Sequence, residues 1–194
     1  MEDIRERILL SIQDSKKAIA SLESQIDSLF NAVGVIVSAI ESGNKIMFVG
    51  NGGSAADAQH ASAEFVGQLG LGVNRRPIPA IALTTDTSAI TALANDFGWE
   101  EVFSRQVEAL AVSGDILVCI STSGNSSNIV RAAQSAKALG CQIIGLTGPF
   151  ESKLSRLADF CLLIDGPNTP RIQEGHELAL HLICEFSEIY LSKT

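Results

Sequence analysis

The sequence predicts an α/β protein built on a five-stranded parallel sheet with helices on both faces, preceded by N-terminal helices. Three observations predict it. Short apolar runs of strand length recur between residues 45 and 164. Segments with helical spacing separate them. The runs are apolar throughout, without polar alternation, which marks strands buried on both faces by crossover helices.

The elements follow in order. Residues 2–42 contain few helix breakers, and Leu9, Ile12, Ile19, Leu22, Ile26, Leu29 and Phe30 recur at three- and four-residue steps. That is the pattern of one or two amphipathic helices. Such a stripe suits packing against the sheet, and it suits equally a bundle with other subunits. The first strand is predicted over 45–49, stopped by Gly50, and a helix over 54–69 follows. Pro77 and Pro79 lead into a second strand at 81–83, followed by helical segments near 86–95 and 99–111. The third strand covers 115–120 and its helix 126–139, ending at Gly140. The fourth strand covers 142–146, a short helix 151–157, and the fifth strand 160–164. Thr169 reads as an N-cap with Pro170 at the first helical position, where the missing N–H has no partner to lose. The last helix runs from there to about residue 191. The 194 residues fit one domain, with a helical segment over 1–42 and an α/β core over 43–194. Crossovers in such a sheet are right-handed. Ligands bind beyond the carboxyl ends of its strands, so the loops after the first three strands are the place to look.

Composition narrows the function. The net charge is −8 and no basic stripe appears, which argues against nucleic acid as a partner. An anionic substrate is then caught by local groups, not by a global field. The first residues form no secretory signal, and no apolar run reaches the ~20 residues of a membrane helix. Cys119, Cys141, Cys161 and Cys184 are widely spaced with no CxxC pair. The expectation is a reduced, cytoplasmic protein with buried thiols and no thiolate zinc site.

Two loops are built for close backbone approach. Gly50-Asn51-Gly52-Gly53-Ser54 follows the first strand, and Ser121-Thr122-Ser123-Gly124-Asn125-Ser126-Ser127-Asn128 follows the third. Each lies between a strand and a helix start, where unpaired N–H groups and positive potential favour an anion. The first loop is no dinucleotide fingerprint, because position 55 is alanine, and no Walker lysine follows. Taken alone it is also what an ordinary strand-to-helix turn carries. In the second loop Ser121, Thr122, Ser123 and Ser126 supply four hydroxyls where a helix cap needs one. That surplus points to a phosphate.

A cluster of proton-handling groups is drawn from two helices. His60 and Glu64 are four apart on the helix after the glycine loop and share a face. Gln173 and His181 are eight apart on the last helix, about 80° apart around its axis. An imidazole and a carboxylate together can move a proton between adjacent carbons, as aldose–ketose exchange requires. The same set can hold a divalent metal such as zinc. Alone, a His-x-x-x-Glu pair is also a common surface pair, and His181 sits in an apolar stretch that suits a core histidine. His176 has no motif around it and reads as structural.

These residues carry a resemblance. Gly50-Asn-Gly-Gly-Ser-Ala-Ala-Asp-Ala-Gln-His60, Asn95-Asp-Phe-Gly98, Ile120-Ser-Thr-Ser-Gly-Asn-Ser126 and Arg171-Ile-Gln-Glu174 resemble the phosphoheptose isomerases of the sugar isomerase (SIS) domain group. The resemblance spans nearly the whole chain. It implies a three-layer α/β/α sandwich of SIS type, flavodoxin-like, and a homotetramer with active sites between subunits. It implies conversion of sedoheptulose 7-phosphate to D-glycero-D-manno-heptose 7-phosphate through an enediol. That reaction opens the route to nucleotide-activated heptose for lipopolysaccharide core or other surface glycans. It implies one Zn2+ per subunit on His60, Glu64, Gln173 and His181, with Glu64 as general base and His181 as its acid–base partner. The implied substrate-binding positions are Asn51, Gly52, Gly53, Ser54, Asn95, Asp96, Ser121, Thr122, Ser123, Ser126 and Gln173.

The chain departs from the family in places. Gly67-Gln68 stands where relatives carry Gly-Arg, and Arg75 or Arg76 in the 69–77 loop is the expected replacement charge. Ala61 and Gly175 replace larger residues, with a wider pocket as the expectation. The alternative function within the group is a non-catalytic SIS protein that binds the replication initiator DnaA. Those relatives look impaired at the catalytic glutamate and final histidine, and this chain keeps Glu64 and His181.

Overall fold

A computed structural model describes residues 2–70, 72 and 74–192. Met1 of the leader reading, and Leu71 and Val73 of the 69–77 loop, lie outside the described residues, as do Lys193 and Thr194. The amino-terminal pattern resolves into α1 (Glu2–Ala20), a 3-10 turn (Ser21–Gln25) and α2 (Ile26–Glu41). Strand and helix then alternate as predicted: β1 (Ile46–Gly50), α3 (Gly53–Val66), β2 (Ala80–Ala82), α4 (Thr87–Phe97). A 3-10 turn (Trp99–Glu101) leads to α5 (Ser104–Leu110), β3 (Ile116–Ser121), α6 (Ser127–Ala138) and β4 (Gln142–Thr147). The chain ends with α7 (Lys153–Leu157), β5 (Phe160–Leu163) and α8 (Thr169–Leu191).

The five strands are parallel, in the order β2-β1-β3-β4-β5. Because β1 lies between β2 and β3, the chain leaves β1 in one direction for β2 and returns on its other side for β3. The period-two alternation of side chains divides the core in two. Ile46, Phe48, Ile116, Val118 and Ile120 face the layer that contains α2, α3 and α8. Met47, Val49, Leu117, Cys119 and Ile143 face the layer that contains α5, α6 and α7. This is the predicted sandwich, and the two-sided burial of β1, β3 and β4 explains why their sequences do not alternate.

Several local expectations change. The helix after the glycine loop ends at Val66, not 69, where the Gly67 amide donates to the Ala63 carbonyl at 2.7 Å. The cap of α8 is Asn168, whose side chain accepts from the Arg171 amide at 3.3 Å, so Thr169 already lies inside the helix. Ala61 is buried in the core and not in a pocket. Gly175 permits close packing: a Cβ there would stand 2.5 Å from Ile164 Cγ2 at the end of the sheet. Neither residue widens a binding site. The N-terminal stripe divides between its two readings. Leu22, Val33, Ile36 and Ile40 are buried, whereas Ile4, Ile8, Leu9, Leu10, Ile12 and Phe30 remain exposed.

Candidate active site

The order of strands creates a switch point between β1 and β3, the place where ligands of such sheets bind. The glycine and serine loops are the loops that leave these two strands, and they are tied side by side. The amides of Asn51 and Asn128 exchange two hydrogen bonds, both 2.9 Å. Asn128 is buried and its Oδ1 also accepts from the Ile129 amide at 2.9 Å. Gly50 lets the glycine loop fold back on itself, because a Cβ there would meet the Ser54 carbonyl and stand 3.0 Å from the Ala55 nitrogen. In the serine loop, Ser121 and Ser126 hydroxyls lie 3.2 Å apart, and Ser123 Oγ accepts from the Asn125 amide at 3.2 Å. Ser126 is the N-cap residue of α6, yet its hydroxyl makes no capping bond. It is thus left facing its neighbour and not consumed by the helix.

The proton-handling residues sit on a polar seam between α3 and α8. Both helices start beyond the carboxyl ends of their strands, so they run side by side in one direction. Gln173 packs its amide on Gly53 at the top of the seam; a Cβ at Gly53 would stand 3.0 Å from its Cδ and Oε1. His60 Nε2 and His181 Nε2 meet at 2.8 Å. Glu64 Oε1 lies 3.7 Å from His60 Nε2. The two imidazoles are about two-fifths exposed, while Glu64 is more enclosed. His60 and His181 thus converge from helices 121 positions apart in sequence.

Two acids of the seam escaped the sequence reading. Asp57 and Glu177 each lie on the same helical stripe as a predicted residue, three before His60 and four before His181. Spacing could have found both. Glu177 Oε1 is 3.3 Å from His60 Nε2 and 3.5 Å from His181 Nε2. Asp57 Oδ2 is buried with no hydrogen-bond partner. Burial, and then the nearby Glu177, push the Asp57 carboxyl up to about 6 against the pull of His60. The seam therefore holds more negative charge than its two imidazoles offset.

That chemistry fits the implied zinc. Donor atoms of His60, Glu177 and His181 all lie within 4.8 Å of one another. An orphaned buried carboxylate oxygen near His60 and Glu177 is a place where a divalent cation would lower the electrostatic cost. Cys119 and Cys184 are buried, and burial pushes both thiols up, away from the thiolate form.

Other predicted residues fall elsewhere. Asn95 and Asp96 lie exposed near the end of α4, where the Asn95 amide donates to Asp96 at 2.8 Å. Their described hydrogen bond joins them to each other, not to the seam. Arg75 does not replace a substrate-binding charge. Its guanidinium is buried, donates to the carbonyls of Glu64 (2.9 Å) and Phe65 (3.0 Å), and sits 3.2 Å from Glu188 Oε1. It caps the carboxyl end of α3, where cations are favoured. Arg76 is exposed. His176, read as structural, is buried and its Nε2 donates to the Thr147 carbonyl at 3.1 Å.

A parallel sheet in this order, with a glycine loop and a hydroxyl-rich loop at its switch point, defines a SIS domain protein, and the SIS domain profile matches residues 12–148. Phosphoheptose isomerase of Aliarcobacter butzleri is 50% identical over 171 residues, 88% of this chain and 89% of that protein. The Aquifex aeolicus phosphoheptose isomerase is 44% identical over 176 residues, 91% of each chain. The solved phosphoheptose isomerase of Neisseria gonorrhoeae superposes with a TM-score of 0.89 at 39% identity, over 96% of this chain and 99% of that one. The chain belongs to the phosphoheptose isomerase family.

Proposed function

We propose that this protein converts sedoheptulose 7-phosphate to D-glycero-D-manno-heptose 7-phosphate. The observation that carries the reading is the meeting of His60, His181 and Glu64 on the α3–α8 seam, beside the paired glycine and serine loops. The phosphate belongs to the serine loop, on the hydroxyls of Ser121, Thr122, Ser123 and Ser126 and the amides opening α6. Asn51, Gly52, Gly53, Ser54 and Gln173 border the sugar chain, and Asn95 and Asp96 are its more distant contacts. His60 begins seven residues down α3 from Gly53, roughly 10 Å at the helical rise, so a chain of several carbons is needed to join the two regions. Short triose phosphates would fall short.

Isomerisation moves one hydrogen from C1 to C2 and one hydroxyl proton from O1 to O2. Glu64 takes the C1 proton, leaving the enediol, and returns it to C2. His181 handles the oxygen-bound proton. A carboxylate and an imidazole are suited to both transfers near neutral pH. His60, Glu64, Gln173 and His181 are the residues that would hold Zn2+, which when bound polarises the substrate oxygens as a Lewis acid.

The same reading makes the chain a single-domain, cytoplasmic enzyme that opens heptose synthesis for lipopolysaccharide core or other surface glycans. It works as a homotetramer with sites between subunits. Exposed apolar residues on α1, and an apolar groove of Ile26, Phe30, Leu182, Phe186 and Tyr190 between α2 and α8, support burial against further copies. Among the described residues no helix is long and apolar enough to cross a membrane. The test is incubation of the purified protein with sedoheptulose 7-phosphate in D2O, followed by NMR. Heptose 7-phosphate carrying deuterium at C2, with deuterium at C1 of the recovered ketose where the base exchanges with solvent, is the expected result. Unchanged substrate at high enzyme concentration overturns the function, including its preference over the DnaA-binding alternative.

A further inference from the structure

We propose that Glu177 is a direct carboxylate ligand of the divalent cation held by His60 and His181. The proposal rests on the reading of the α3–α8 seam as a metal centre, and it adds a residue that the motifs alone leave out.

Position comes first. Glu177 lies on α8 four residues after Gln173 and four before His181, so the three share one face of the helix. That face looks onto α3, whose Asp57, His60 and Glu64 form the opposite wall. Distance comes next. A tetrahedral zinc with bonds of about 2.0–2.1 Å sets its donor atoms about 3.3 Å apart. Glu177 Oε1 already stands 3.3 Å from His60 Nε2 and 3.5 Å from His181 Nε2. It occupies a third vertex without a change of rotamer. The imidazole nitrogens, at 2.8 Å, need to part by only about half an ångström to complete that triangle. Glu64 Oε1 is further out, at 3.7 Å from His60, and is not one of the three residues whose donor atoms cluster mutually.

Chemistry favours the same assignment. Two imidazoles and a carboxylate are a ligand set of catalytic zinc sites, and Glu177 supplies such a carboxylate alongside the Glu64 and Gln173 of the motif-implied set. A carboxylate oxygen committed to a cation is a poor base. With Glu177 as a second anionic ligand, Glu64 needs to commit only one oxygen and keeps the other for the proton that moves between C1 and C2. The crowding of Asp57, Glu64 and Glu177 around two imidazoles is then the charge balance of a dication. The buried, unpartnered Asp57 Oδ2 acquires a reason to be there.

The experiment measures metal, not turnover. Purified full-length protein is stripped with chelator, and Zn2+ is titrated back against a chromophoric competitor, for wild type, Glu177→Ala, Glu177→Gln and His181→Gln. Co2+ loading is followed by its visible absorption, which reports coordination geometry. Thermal melting of each stripped variant establishes that it is folded; Glu177 is partly exposed, so the stripped variants should melt like wild type. Loss of even an outer-sphere partner of a metal site typically costs 10–100-fold in affinity, so Glu177→Ala should weaken Zn2+ at least about tenfold and alter the Co2+ spectrum. Glu177→Gln should fall between it and wild type. Affinity of Glu177→Ala within threefold of wild type, or an unchanged Co2+ spectrum, overturns the assignment. If His181→Gln alone loses zinc, the metal centre stands without Glu177. If wild type itself takes up no zinc, the assignment falls, while formation of heptose 7-phosphate, measured separately, still decides the isomerase reading.

Discussion

Gly53→Ala separates the working pose of Gln173 from the stability of the fold. Gly53 is the first residue of α3 and is not among the glycines with positive φ, so its backbone accepts alanine. Helices prefer alanine over glycine by up to about 1 kcal/mol. The cost falls on one neighbour. The new Cβ would stand 3.0 Å from Cδ and Oε1 of Gln173 and closer still to Nε2. Carbon contacts relax to about 3.5–4.0 Å, so the amide must withdraw by roughly 1 Å. The tip of a glutamine can swing that far without moving the helix. A misplacement of about 1 Å at a positioning group can cost about 10²-fold in rate. The expectation is a fall of that order in kcat/KM for sedoheptulose 7-phosphate, with a melting temperature equal to or above wild type. Paired NMR rate assays and thermal melts check it. A kcat/KM within threefold of wild type would refute the idea that Gln173 acts from this pose. A fall in activity accompanied by a large loss of melting temperature would instead place the defect in folding.

Glu64→Gln should lose about 10²–10⁴-fold in turnover while keeping its fold, as read by rate assay and circular dichroism. Asp57→Asn bears on metal-free stability. The folded carboxyl titrates near 6 against 3.8 unfolded, so its ionisation opposes folding as pH rises through that interval. After discounting for solvent around a half-buried group, the variant should gain about 1 kcal/mol at pH 7 and nothing below pH 3.8 in urea unfolding. His176 acts with the opposite sign: burial holds it down at about 4 against 6.5, so its contribution is complete above 6.5 and lost as pH falls toward 4. Wild type should therefore shed roughly 3 kcal/mol more over that window than His176→Gln, and equal pH slopes would remove the effect. Arg75→Met leaves the buried Glu188 carboxylate without its counter-cation and should cost about 3–5 kcal/mol, while Arg75→Met/Glu188→Met should recover much of it.

The strands were legible because each is an apolar run closed by glycine or a polar residue, and their boundaries fall within a residue or two of those runs. Helix ends were less so. At 168–170 two adjacent residues can both cap, and only geometry chooses Asn168. The glycine and serine loops announced themselves by composition. The seam did not. Asp57 and Glu177 look like ordinary solvent-facing acids until α3 and α8 are set side by side, although both obey the helical spacing of their neighbours. The role of Arg75 was misread for the same reason: its partner Glu188 lies far along the chain, and no local pattern links them.

The register of α8 against α3 is what makes the cluster possible. Contacts along the seam keep a nearly constant sequence separation, 121 for His60 with His181 and 119 for the backbone amide of Leu69, just past the end of α3, with Glu188. Parallel helices with a constant offset have one register, and slipping α8 by one residue would turn His181 by about 100° away from His60. Two contacts fix that register from opposite ends. The Gln173 amide on Gly53 sets the top, and the buried Arg75–Glu188 pair, reaching the last carbonyls of α3, sets the bottom. The histidines lie between them, too exposed to hold themselves in place, with the more enclosed Glu64 beside His60. Packing at the two ends of the seam does for the catalytic groups what burial cannot do without closing the site to its substrate.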